Sequence, residues 1–145
     1  MPRITVEMLE GRTLDQKRAL TKAISTVAAE CFNIPMEYVL IRFVEVRFED
    51  FASDNELRCD STLKEGKPVY GKRLEPRVTI QLLEGRTLDQ KRALVKHTAE
   101  KIAEILAVPL KDVLIYVLEM KKDELAFGGV FPIDGTVDRA PNYQK

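Results

Sequence analysis

The residue with the most chemical promise in this 145-residue chain is Pro2, directly behind the initiator methionine. Its small side chain permits methionine removal, which would leave a free secondary amine. An α-amino group titrates near ~7.7–8.0 when unperturbed, and apolar burial or nearby arginines favour its neutral form. Such an amine can remove a proton from one atom of a substrate and return it to another. No other proline in the chain offers an ionisable nitrogen, because Pro76 and the rest are acylated by the residue before them.

A small anionic substrate would need guanidinium groups, which bind carboxylates bidentately and stay charged. Arg12 and Arg86 each follow a glycine, in matching sequence. Along one extended strand Arg12 lies about 25–30 Å from Pro2, too far to serve it. Antiparallel pairing of the two strands would instead deliver Arg86 to Pro2 and Arg12 to the blocked Pro76. Arg12 is therefore kept among the substrate-binding candidates chiefly as a foil, with a surface position at the helix entry preferred for it. Tyr116 and Arg42 stand at equivalent positions and could polarise a carbonyl or enolate oxygen. His97, the single histidine, is expected in a structural or surface role. One histidine and two dispersed cysteines give no metal site, and proton transfer of this kind needs no cofactor.

These residues sit on a duplicated frame. Pro2–Ser53 and Pro76–Phe127 align without a gap, 24 of 52 positions are identical, and Leu9–Leu20 matches Leu83–Leu94 throughout. In Arg3–Leu9 and its counterpart, apolar residues alternate with polar ones, as in a strand with one buried face. Thr13 with Gln16, and Thr87 with Gln90, have capping-box spacing. Leu20, Ile24, Val27 and Cys31, then Leu94, Ala99, Ile102 and Leu106, recur at helical steps before Pro35 and Pro109. Val39–Val46 and Val113–Met120 are apolar runs that suit interior strands. Each copy is thus a β-α-β unit, and the fold class is α+β: a four-stranded mixed sheet with two helices on one face. Residues 1–57 form the first unit, 58–75 a connector, and 76–145 the second unit, with a terminal hairpin around Gly128-Gly129 and a tail. The face opposite the helices is expected to carry a sizeable apolar patch, and hence to drive oligomerisation.

The initial proline, the Leu9–Thr13 segment LEGRT, the DQK of the helix start and the later VPL…EM of Val108–Met120 resemble 4-oxalocrotonate tautomerase. The resemblance covers both halves, so the chain looks like a fused member of the tautomerase superfamily, with the tautomerase/MIF-like fold. It implies a keto–enol tautomerase of small 2-hydroxy-2-enoates or 2-oxo acids, with Pro2 as general base and acid and a homotrimeric assembly. Catalytic roles then fall on Pro2, Arg86 and Tyr116, and substrate contacts on Arg12, Arg42, Phe51 and Phe127. A second substrate-binding arginine of the family falls on Leu40 and Leu114, so Arg42, two residues later, is the substitute. The capping aromatic falls on Phe51 and Leu125, with Phe127 as a further candidate. Tyr116 with Glu119-Met120 resembles cis-3-chloroacrylic acid dehalogenase. The dehalogenase's glutamate and first paired arginine are replaced here by Ala126 and Leu83, which ranks hydration, dehalogenation and decarboxylation below tautomerisation. A noncatalytic oligomeric binding module is the rival from outside enzymology.

Composition sets the remaining bounds. Basic and acidic residues balance at 23 each, which argues against nucleic acid or an anionic membrane as partner and leaves a small carboxylate. No apolar run approaches the ~20 residues of a membrane span. Two cysteines make no disulfide framework, so a cytoplasmic location is expected.

Overall fold

In each repeat a glycine turns the chain from strand to helix, and the architecture follows from doing this twice. The computed structural model describes residues 2–61, 63–64, 67–68 and 74–134. Gly66 and Gly71 of the connector, Met1 and residues 135–145 lie outside the described residues. The first repeat is β1 (Arg3–Leu9), α1 (Leu14–Phe32) and β2 (Leu40–Val46); the second is β3 (Arg77–Leu83), α2 (Leu88–Leu106) and β4 (Leu114–Met120). Gly11 and Gly85 have φ of 101° and 112°, which L side chains rarely adopt. Thr13 and Thr87 then cap the helices. Each hydroxyl accepts from the Gln16 or Gln90 amide at 3.1 Å, and each glutamine carbonyl answers to the threonine N–H. Asn33 and Ala107 end the helices in the left-handed conformation.

The strand order is β2-β1-β3-β4, parallel within each repeat and antiparallel across the β1–β3 junction. Thr5 lies opposite Thr79, its own counterpart, so a local two-fold relation runs through that pair. The helices obey it too. The Gln16 side-chain amide donates to Ile105 O at 3.5 Å and that of Gln90 to Cys31 O at 3.4 Å, so the start of each helix meets the end of the other. Ile4, Val6, Met8, Val78, Ile80 and Leu82 are buried beneath Leu20, Ile24, Ala28, Leu94, Ile102 and Leu106. Each such side chain contributes roughly 1.5–3 kcal/mol by leaving water. Thr98, rather than Ala99, completes the buried stripe of α2. No described helix is long and apolar enough to cross a membrane.

Two expectations are corrected. The apolar runs β2 and β4 are edge strands, and the more polar β1 and β3 are central. Their apolar character comes from residues on both faces of an unpaired edge, where another chain can dock. The face away from the helices is not one apolar patch. Its centre carries Arg3, Thr5, Glu7, Arg77, Thr79 and Gln81, and register places Leu40, Val44, Leu114 and Leu118 on the flanks. A short hairpin, Ala52–Ser53 with Glu56–Leu57, closes the first unit, and the connector begins with one helical turn, Arg58–Ser61. Near the C-terminal end, Phe127 and Val130 bridge across Gly128-Gly129 as the expected hairpin turn.

Candidate active site

Antiparallel register decides which loop meets which proline. Arg3 lies opposite Gln81 and Glu7 opposite Arg77, so the end of β3 runs past the start of β1, and the reverse. Pro2 is buried at the first end, where its carbonyl accepts from Leu40 N–H at 3.1 Å. Pro76 is buried at the opposite end, held in the same way by Leu114 N–H. Arg86 therefore leaves the sheet at the Pro2 end and Arg12 at the Pro76 end.

The two arginines have different surroundings despite identical neighbours in sequence. Arg86 is half-buried, with its guanidinium carbon 4.6 Å from the centroid of the Phe32 ring. A guanidinium over an aromatic face gains about 0.5–1 kcal/mol and has its plane fixed, while its N–H edges stay available. Among the described residues no carboxylate forms an ion pair with Arg86. Arg12, expected at the surface, is instead buried. Its Nη2 is 3.2 Å from Glu75 Oε1 and 3.4 Å from Oε2, and its Nη1 donates to Leu9 O at 3.4 Å. Leu9 N–H donates to Glu75 Oε1 at 2.9 Å, and both charged side chains are only 2% exposed. The carboxylate that Arg12 binds is the chain's own.

Tyr116 and Arg42 stand elsewhere. They end a row across the sheet, Arg42–Thr5–Thr79–Tyr116, on the face away from the helices. An open hollow on that face is lined by Arg3, Thr5, Arg42, Thr79 and Gln81. Pro2 has the strand parity of Ile4 and Val6, which face the helices. Tyr116 lies two strands over and three residues along, about 10 Å in each direction. Within one chain the structure brings neither Tyr116 nor Arg42 to Pro2. Phe51 lines a narrow gap with Leu9, Leu74 and Glu75, at the Pro76 end. Phe127 follows β4, which leaves the sheet at the Pro2 end, and is held by reciprocal backbone bonds with Val130 at 2.9 and 3.0 Å. His97 is exposed beside Glu100, as expected.

Two residues escaped the sequence reading. Phe32 gave no signal, since an aromatic on a helical stripe reads as core. Glu75 did leave one: the repeat offset sets it against Met1, the one residue whose loss would free the Pro2 amine.

Two repeats of one fold, each with a proline at the strand start and an arginine beyond the strand end, match a known family. The model described as a tautomerase enzyme covers residues 2–56 and again residues 76–134. The chain belongs to the tautomerase family. A probable tautomerase of Listeria monocytogenes is 49% identical over 55 residues, covering 38% of this chain and 90% of that protein. The 2-hydroxymuconate tautomerase of Bacillus subtilis is 39% identical over 54 residues, covering 37% and 87%. Each single-repeat relative thus corresponds to about one half of this tautomerase, as a gene fusion requires. A solved fused 4-OT, described as an asymmetric trimer, superposes with a TM-score of 0.76 over 91% of this chain and 97% of its own. At 21% identity that likeness is one of fold. The chain is a fused isomerase of the 4-oxalocrotonate tautomerase type.

Proposed function

We propose that this tautomerase interconverts the enol and keto forms of a small 2-hydroxy-2-enoate or 2-oxo acid, with Pro2, freed of Met1, as the proton carrier. The amine takes the proton of the 2-hydroxyl and returns it to a carbon of the conjugated chain. One O–H bond breaks, one C–H bond forms, and the enol becomes the ketone. The observation that carries this reading is the asymmetry between the two ends of the sheet. The end with Pro2 has Arg86 braced on Phe32, with no ion-paired carboxylate among the described residues. The end with the amide-blocked Pro76 has its arginine occupied by Glu75. Arg86 receives the substrate carboxylate, and Phe127, which follows the strand that leaves the sheet at that end, is the candidate capping aromatic.

Tyr116 and Arg42 serve a Pro2 site only if a neighbouring chain supplies them, and the unpaired edges of β2 and β4 suit such an assembly. We infer a homotrimer on this ground, in line with the trimer reported for the fused relative. Free Cys31 and Cys59 suit a reducing, cytoplasmic setting. The test combines intact mass, light scattering and turnover of a panel of enol acids by wild type and Pro2→Ala. Loss of Met1, a trimer, and activity that Pro2→Ala abolishes without unfolding are expected. Undiminished turnover by folded Pro2→Ala removes the proton-carrier assignment, and retained Met1 favours the binding module.

A further inference from the structure

We propose that the Pro76 end of the sheet holds its own binding site for a small monocarboxylate, and that Glu75 is its resident ligand. The site is built. Leu9 N–H and the Arg12 guanidinium converge on the Glu75 carboxylate at 2.9 and 3.2 Å, out of contact with water. One backbone donor and one guanidinium on the same oxygen make an anion receptor, since charge-assisted bonds of this kind are the strong ones. A narrow gap with no room for a water molecule adjoins it, walled by Glu7, Met8, Leu9, Val46, Phe51, Leu74 and Arg77 besides Glu75 itself, so the Glu75 side chain itself fills the place that an acid would take. The Nε of Arg77 is buried without a hydrogen-bond partner among the described residues, which adds a donor for an anion and offsets Glu7.

The occupant arrives through the backbone, because Glu75 immediately precedes Pro76. Its side chain therefore lies where a free acid bound beside that proline would place its carboxylate. Occupied in this way, the second proline cannot capture small carboxylates in a complex that leads nowhere. The first repeat has Met1 at the matching position, with no charge to fill the equivalent place. This inference does not rest on the role given to Pro2.

The test is made in the Arg86→Ala background, so that any carboxylate binding at the Pro2 end is weakened and the outcome is independent of that assignment. Sodium propionate is titrated calorimetrically into Arg86→Ala, Arg86→Ala/Glu75→Ala and Arg86→Ala/Glu75→Ala/Arg12→Met, against sodium chloride at equal ionic strength. The double variant is expected to bind one propionate per chain, with a saturable rise in Tm, and the other two to bind none at that site. If the double variant is unfolded, propionate-dependent refolding at concentrations where chloride has no effect is the same result. Absence of binding or rescue, or equal binding by the Arg12→Met triple variant, overturns the proposal.

Discussion

Replacing Arg12 with methionine takes the guanidinium away from the buried Glu75 carboxylate. Breaking a buried pair from one side costs about 3–5 kcal/mol, because the remaining charge loses its compensation. The burial of both partners here places the loss in that range rather than in the 0–1 kcal/mol of an exposed pair. At about 2–4 °C of Tm per kcal/mol for a chain of this size, Arg12→Met should melt roughly 6–20 °C lower. The companion variant Arg86→Ala loses only its contact with Phe32, about 0.5–1 kcal/mol, and should melt within a few degrees of wild type. Its activity should behave oppositely. A lost charge-assisted carboxylate contact of about 1.5–3 kcal/mol lowers kcat/KM roughly ten- to a hundredfold, mainly through KM. Calorimetric melts at one fixed protein concentration, together with steady-state kinetics on one enol acid, separate the two. Arg12→Met/Glu75→Leu, which removes both charges, should regain much of the lost stability. The reasoning fails if Arg12→Met loses activity at an unchanged Tm, or if Arg86→Ala retains full kcat/KM.

Thr98 is fully buried, its hydroxyl has no partner, and it holds the place that Ile24 holds in the first repeat. Thr98→Val should therefore raise stability by about 1 kcal/mol in denaturant titrations. Ala107 ends α2 at φ 52°, so Ala107→Gly should stabilise by up to about 1 kcal/mol, whereas Ala103→Gly in the helix interior should do the reverse. Phe32→Leu takes away the ring beneath Arg86. It should raise KM about two- to fivefold, the equivalent of roughly 0.5–1 kcal/mol, with kcat held.

Much of the architecture was legible because the same short signals occur twice at one spacing. Alternation in Arg3–Leu9 and Arg77–Leu83, the Thr–Gln caps and the terminating prolines each mark a local conformation that physical chemistry fixes within a few residues. Edge and centre were not legible in the same way. Val39–Val46 is apolar on both faces, and that pattern suits a strand flanked by neighbours as well as one waiting for another chain. At the site, strand length set Arg12 apart from Pro2, an assumed antiparallel pairing pointed to Arg86 instead, and the sheet has that pairing. What surrounds Arg12 was beyond reach, because Glu75 is 63 residues away and has no counterpart to compare except a methionine. Tyr116 and Arg42 were matched to each other by the repeat, yet the repeat says nothing of which chain's Pro2 they face.

The two-fold relation through Thr5 and Thr79 has a genetic consequence. In an assembly of identical single units, each codon is expressed at both ends of every such sheet, so a change that suits one end is imposed on the other. Joining the copies in one reading frame gives each end its own codon. A glutamate could then appear beside one proline without appearing beside the other, and one arginine could be given over to holding the fold while its twin stayed open to ligand. Leu9–Leu20 and Leu83–Leu94 stayed identical through that division of labour, so what tells Arg12 from Arg86 lies outside their own segment.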